Sequence, residues 1–265
     1  MEPKIVLHGG AGSWGEKEED AQEALEKVAD EVAQTSDFSD ALDMVENAVR
    51  LLEDEPVFNA GRGGKFQADG EIRLDASLMT SDLEAGAVIG LEGGFLHAVS
   101  VARKVMEETH HVALKGCQAA DFAEEYGFEK ADLRTEVKKE AYSEQMDDLE
   151  DLSYREKIRE LKDREQNGTV GAVAIDRNGD MAAATSTGGR YGQLAGRVGD
   201  TPMPGNGTYC NESSAVSATG VGEAIIKSTL SRRCAEVLER GKVPENAARE
   251  AIDYLEDKTG RKLDL

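Results

Sequence analysis

The sequence predicts a globular fold of mixed strands and helices, and three observations carry that prediction. Its 265 residues are 39% hydrophobic and include 28 glycines, enough for a buried core divided by many turns. Short β-prone runs alternate with segments whose apolar residues recur at helical spacing. The turn Asp176-Arg177-Asn178-Gly179 between two such runs is a hairpin signal. A chain of this length forms one large domain or two small ones.

Lys4-Ile5-Val6-Leu7-His8 reads as a buried strand running into the glycine turn Gly9-Gly10-Ala11-Gly12. An amphipathic helix is expected over 17–34. Another starts after Ser39, read as its N-cap, with Leu42, Val45, Val49 and Leu52 on one face. Pro56 ends it, and Phe58-Asn59-Ala60-Gly61-Arg62-Gly63-Gly64 forms a tight loop. Strands follow at 71–79 and 85–91 across the polar turn Thr80-Ser81-Asp82, then helices at 96–108 and 116–126. From about 129 to 167, Lys, Glu, Asp and Arg dominate without a glycine, which predicts a solvated helix or mobile connector. The β pattern resumes at 170–176, 180–186 and 207–219, and helices near 221–239 and 244–258 complete the chain. There is no internal repeat.

The net charge of −22 argues against nucleic-acid binding. With 53 acidic against 31 basic residues and only 5% aromatics, the composition suits a protein kept soluble in high salt, and a halophilic source is expected. Cys117, Cys210 and Cys234 are odd in number and widely spaced, giving neither a disulfide framework nor a zinc pattern. The four histidines, His110-His111 among them, lack ligand spacing. The N-terminus shows no signal-peptide apolar region and no run reaches membrane-spanning length, so a soluble, cytoplasmic protein without a membrane partner is expected.

Five glycine- and hydroxyl-rich segments carry candidate chemistry. Gly10-Ala11-Gly12-Ser13-Trp14-Gly15 has the form of a dinucleotide fingerprint, with acids near Asp30 and Glu31. Trp14 is too bulky for the close helix–strand packing such a site needs, and the following strands pair as hairpins. At Asn167-Gly168-Thr169-Val170-Gly171 the charged run stops and a β-prone segment begins. A chain cut before Thr169 would give that threonine an α-amine as its own base, with an ordinary pKa of roughly 7.7–8.0. The plain alternative is a strand start after a linker. Thr185-Ser186-Thr187-Gly188-Gly189 ends a strand with hydroxyls that suit the neighbourhood of a nucleophile. Gly196-Arg197-Val198-Gly199-Asp200 pairs a guanidinium fork with an acid, able to clamp an α-carboxylate and an α-ammonium or else to form a surface ion pair. Ser217-Ala218-Thr219-Gly220-Val221-Gly222-Glu223 joins a strand to a helix where backbone amides can stabilise an oxyanion, or where glycines serve only packing.

His8-Gly9-Gly10-Ala11-Gly12, Phe58-Asn59-Ala60-Gly61 and the four later motifs occur in one order along nearly the whole chain. In that order the sequence resembles the plant-type L-asparaginases, or isoaspartyl aminopeptidases, which are N-terminal nucleophile hydrolases. The resemblance is weakest in the acidic linker. It implies an α+β fold, a four-layer αββα sandwich, spanning 1–265 as one domain. It implies cleavage into a large subunit 1–168, including linker 129–168, and a small subunit 169–265. Thr169 would be the nucleophile, Thr187 its hydroxyl partner, Arg197 and Asp200 the substrate clamp. Thr219 and the Gly220 amide would form the oxyanion hole, Gly222 would line the pocket, and Asn59 would support the nucleophile. Carbonyls of Leu52, Glu53, Glu55, Phe58, Ala60 and Arg62 would hold a structural sodium ion, and catalysis would need no cofactor. The substrate would be asparagine or a β-aspartyl dipeptide, and the assembly a dimer of αβ units. Glycosylasparaginases share Gly-Arg-Val-Gly-Asp but lack the opening His-Gly-Gly-Ala-Gly and tend to carry Asn at the position of Gly188. The family also continues past the last helix with a strand pair, whereas this sequence ends at Leu265, so a C-terminally shortened, inactive or unprocessed homologue is the expected alternative.

Overall fold

The computed structural model describes residues 2–12, 14–35, 39–146, 156, 160 and 168–262. Its main sheet has strands β1 (Lys4–His8), β2 (Leu74–Thr80), β3 (Ala85–Leu91), β4 (Ala113–Lys115), β5 (Val170–Ile175) and β6 (Met181–Thr187). They lie in the order β1-β5-β6-β2-β3-β4, and every neighbouring pair is antiparallel except β3 with β4. A separate hairpin pairs β7 (Thr208–Asn211) with β8 (Ser214–Ser217).

Strand side chains alternate between the two faces of a sheet, and here each face has its own partner. Ala76, Leu78, Ala172, Ala182 and Ala184 join one large apolar core with helices α1 (Glu18–Thr35), α2 (Ala41–Asp54), α3 (Ala98–Glu108) and α4 (Gly116–Glu125). Met79 and Ala183 point the other way and meet Cys210 of the hairpin. Behind the hairpin lie α6 (Gly222–Ser228), α7 (Leu230–Glu239) and α8 (Pro244–Thr259), which share a further core of Ile225, Leu230, Val237, Ala251 and Leu255. The many alanines between α2 and β5–β6 let that helix approach the sheet closely.

Several expectations are corrected. The cap of α2 is Asp40 rather than Ser39: its carboxylate accepts from Leu42 N and Asp43 N at 2.8 and 3.2 Å. The expected single helix over 221–239 is two, because Thr229 takes the left-handed conformation at φ 47°. Strand β4 is too short to show a pattern. The expected strand region 207–219 is a tight hairpin. A dinucleotide site after β1 is excluded by topology, since β1 pairs antiparallel with β5 instead of feeding a parallel crossover. Trp14 packs edge-on against Phe58 with ring centroids 5.9 Å apart.

Within the acidic linker, α5 (Glu136–Met146) is a helix with one docked side. Tyr142 stacks on Phe66 at 4.9 Å and donates to the Ala68 carbonyl at 3.2 Å. Apart from residues 156 and 160, the linker from 147 to 167 lies outside the described residues. Among the described residues no helix is long and apolar enough to cross a membrane.

Candidate active site

Thr169 directly precedes β5, and the pairing of Val170 with Ser186 places it opposite Thr187 at the end of β6. Thr169 Oγ1 donates to Thr187 Oγ1 at 3.1 Å, and Gly189 N donates to the same Thr187 oxygen at 3.2 Å. The preceding peptide is seated between two loops. Gly168 has φ 106°, and a Cβ there would lie 2.8 Å from Asn59 Cβ. Gly10 has φ 122°, and a Cβ on it would lie 2.7 Å from Gly168 Cα and 3.1 Å from Thr169 N. The glycine turn that imitates a nucleotide motif therefore exists to let backbone press against the Gly168–Thr169 bond. Gly10→Ala is expected to push that bond out of register and slow its cleavage by about tenfold or more. Loss of the intact chain followed over time by mass spectrometry checks this.

Asn59 spans the loops: Nδ2 donates to the Gly189 carbonyl at 2.5 Å, and its own carbonyl accepts from Gly188 N at 2.9 Å. Its Oδ1 is buried without a hydrogen-bond partner, and a Cβ at position 188 would stand 2.6 Å from that oxygen. Gly188 is thus small so that Asn59 can reach in.

Arg197, Asp200 and Gly222 converge on the same cleft. A Cβ on Gly222 would lie 2.6 Å from Asp200 Oδ1 and 2.8 Å from Arg197 Nη2, so both charges front the space that glycine leaves. The alternative of a simple Arg197–Asp200 surface pair does not hold. Arg197 Nε instead donates to Glu223 Oε1 at 3.0 Å, while Asp200 is buried and its Oδ2 has no partner. Burial pushes the Asp200 carboxyl up to about 7 despite the nearby Arg197, and Asp75 and Glu223 push the same way. Asp75, buried on β2 and paired in register with Thr187, is raised to about 6 by burial, opposed by the Gly90 N–H at 2.6 Å.

Thr219 and Gly220 line the cleft from the β8–α6 junction, with Gly220 at φ 138°. Ala11, Gly189, Arg190, Gly199 and Thr201 complete its wall. Sequence reasoning gave these five no role: Ala11, Gly189 and Gly199 lie inside the motifs without being singled out, and Arg190 and Thr201 fall one residue beyond them. Asp75 did leave a signal, an acid set inside the apolar run Leu74-Asp75-Ala76.

The expected cation loop closes the end of α2. Carbonyls of Leu52, Glu55 and Ala60 accept main-chain N–H groups of Glu55, Phe58 and Gly63 at 3.3, 3.2 and 2.9 Å, and each keeps a second lone pair. Oxygen donors of this kind suit a hard cation. The Arg62 carbonyl, however, takes the Lys138 ammonium, which also donates to the carbonyls of Gly64 and Leu133 at 2.9 and 3.1 Å. The Glu53 side chain turns inward to Ser186 and Val99, and complete burial raises its carboxyl to about 8.

A family model described as asparaginase matches residues 1–264. The plant-type L-asparaginase of Pyrococcus abyssi is 41% identical over 258 residues, covering 94% of this chain and 84% of that protein. The isoaspartyl peptidase/L-asparaginase of Xenopus laevis is 39% identical over 264 residues, 98% of this chain and 84% of its own. The mouse protein of the same name is 39% identical over 259 residues, covering 96% and 78%. The chain belongs to the asparaginase family, whose fold is that of the N-terminal nucleophile hydrolases.

Proposed function

We propose that the protein cuts itself before Thr169 and then hydrolyses the side-chain amide of asparagine and the isopeptide bond of β-aspartyl dipeptides. The observation that carries this is one cleft holding the Thr169–Thr187 hydroxyl pair, the Arg197 guanidinium and a buried, unpartnered Asp200 oxygen.

In the first reaction Thr169 Oγ attacks the Gly168 carbonyl, the C–N bond breaks as the acyl group moves to oxygen, and water hydrolyses the ester. This leaves a large subunit 1–168 and a small subunit from Thr169, folded as a four-layer αββα sandwich and assembled as a dimer of αβ units in the cytoplasm. In turnover the freed α-amine takes the Thr169 hydroxyl proton while Oγ attacks the side-chain carbonyl. Thr219 and the Gly220 amide receive the oxyanion. The C–N bond breaks, the departing amine takes the proton, and water releases aspartate. Arg197 holds the α-carboxylate, Asp200 the α-ammonium, Gly222 leaves room for both, and Asn59 braces the nucleophile. A structural sodium ion on the carbonyls of Leu52, Glu53, Glu55, Phe58 and Ala60 belongs to the same reading, beside the Lys138 ammonium on Arg62. Denaturing mass spectrometry tests the first step and release of aspartate from both substrates tests the second. A chain that stays whole and inert sinks the proposal.

Substrate binding and stability are expected to respond to pH in opposite senses. Asp200 can pair with an ammonium only when ionised, so kcat/KM is expected to rise as pH climbs through about 7. The folded chain also retains protons on Asp200 and on Glu53, raised to about 7 and about 8, that the unfolded chain releases at ordinary carboxylate pH. Their contribution to stability is therefore full below the unfolded pKa and is lost as pH rises through the folded one. Urea midpoints should fall between about pH 5 and about pH 8, and less so in Glu53→Gln. A midpoint that rises over this interval contradicts the assignment.

A further inference from the structure

Beneath the cleft runs a file of polar side chains with no role in the proposed chemistry. His8 Nε2 lies 2.8 Å from Ser217 Oγ, which lies 2.7 Å from Thr185 Oγ1. Thr208 Oγ1 donates to Thr185 Oγ1 at 2.7 Å, and Ser77 Oγ donates to Thr208 Oγ1 at 2.7 Å. Ser77 Oγ also reaches the Thr201 carbonyl at 2.5 Å. One end meets the cleft, and the other lies beside Thr169, which lines it. The carbonyl of Thr169 stands near the His8 ring, although Nδ1 has no partner at hydrogen-bond geometry, and Thr201 follows Asp200 and lines the cleft wall.

The file joins five strands: His8 and Ser77 precede the Gly168–Thr169 bond, while Thr185, Thr208 and Ser217 follow it. A polar file of this kind is not needed to hold the hairpin on the sheet. Elsewhere the same interface is apolar, at Met79, Ala183 and Cys210. Polarity is confined to the part under the cleft, and Gly171 is small because a Cβ there would strike Ser217 Oγ and His8 Nε2.

Each hydroxyl has one proton, so a continuous file has a direction. Two carbonyls compete for its protons: Ser77 can donate to Thr208 or to the Thr201 carbonyl, and Thr185 to Ser217 or to the Gly207 carbonyl at 3.2 Å. When Ser77 donates along the file, Thr208 donates to Thr185, Thr185 to Ser217 and Ser217 to His8 Nε2. That direction leaves the ring proton on Nδ1. Burial keeps the imidazole neutral by lowering its pKa to about 4, so the tautomer is the ring's remaining freedom. Without Ser77, Thr208 can turn to the Thr201 carbonyl at 3.4 Å and the direction is lost.

We infer that this hydroxyl file is a positioning device that fixes the His8 tautomer, and with it the seat of Thr169, to the backbone beside Asp200. Its kinetic consequence rests on Thr169 being the nucleophile; its effect on the ring does not. The test uses the full ¹⁵N-labelled chain, whose four histidines give few ring signals. In wild-type protein His8 is expected to be neutral with its proton on Nδ1. In Ser77→Ala, three hydroxyl–hydroxyl bonds and one further bond from the ring, the His8 ¹⁵N shifts are expected to move toward a tautomer mixture while the other histidines stay put. kcat should fall by about tenfold with little change in KM, and Ser77→Thr should restore it. The double variant Ser77→Ala/Ser217→Ala should lose no more than the worse single one, since one break already interrupts the file. Thr208→Val reads the same break should Ser77→Ala fail to fold. Unchanged His8 signals in a folded variant, or losses that multiply in the double, overturn the inference. Inactive wild-type protein with the expected ring shifts would instead count against the proposed hydrolase alone.

Discussion

Thr169→Ala is expected to give a single unprocessed chain of 28.5 kDa that releases no ammonia from asparagine. Both reactions use the same oxygen. Removing it deprives the Gly168 carbonyl of its attacker and then deprives the substrate of the nucleophile, so the defect appears twice in one protein. In turnover the loss should be about 10⁴-fold or more, the scale on which deleting a nucleophile acts. Thr169→Ser keeps the oxygen and should retain part of both activities. Denaturing mass spectrometry and an ammonia assay read the two defects separately. An alanine variant that still splits at position 168 would remove Thr169 from the mechanism.

Asp200→Asn is expected to be the next most damaging change, and its signature is different. The variant should process itself, because among the described residues the Asp200 carboxylate makes no hydrogen bond to Gly168, Thr169 or Thr187. Substrate should then meet an amide where its ammonium needs a buried anion. Truncating one partner of such a pair costs about 3 kcal/mol, or roughly 150-fold in kcat/KM, carried mainly by KM. Steady-state kinetics at about pH 8, where wild-type Asp200 is ionised, provides the comparison. A variant with unchanged KM would show that the ammonium is held elsewhere.

The residues that do chemistry were legible because each has a chemical reason to be where it is. A hydroxyl at a strand start, a guanidinium three residues from an acid and a glycine junction into a helix all stand out in one dimension. Their convergence did not, since only pairing Val170 with Ser186 brings Thr169 opposite Thr187. Glu223 was within a motif, yet its tie to Arg197 crosses 26 residues and required the fold. Asp75 and the Ser77–Thr208 contact likewise depend on which strands are neighbours. Helices α1 to α4 were visible from apolar spacing. The break at Thr229 was not, because a threonine gives no warning of a left-handed conformation.

The strand order has a consequence for the protein once cut. The piece before Thr169 owns β1 through β4 and the piece after it owns β5 and β6, but the sheet runs β1-β5-β6-β2-β3-β4. The second piece is therefore threaded between two parts of the first, hydrogen-bonded along both flanks. Neither product has a complete sheet to retreat to. Parting them means melting the common core, so the two polypeptides should behave in solution as one molecule with an extra pair of chain ends. Labelled and unlabelled cut protein, mixed under native conditions, should keep their original partners.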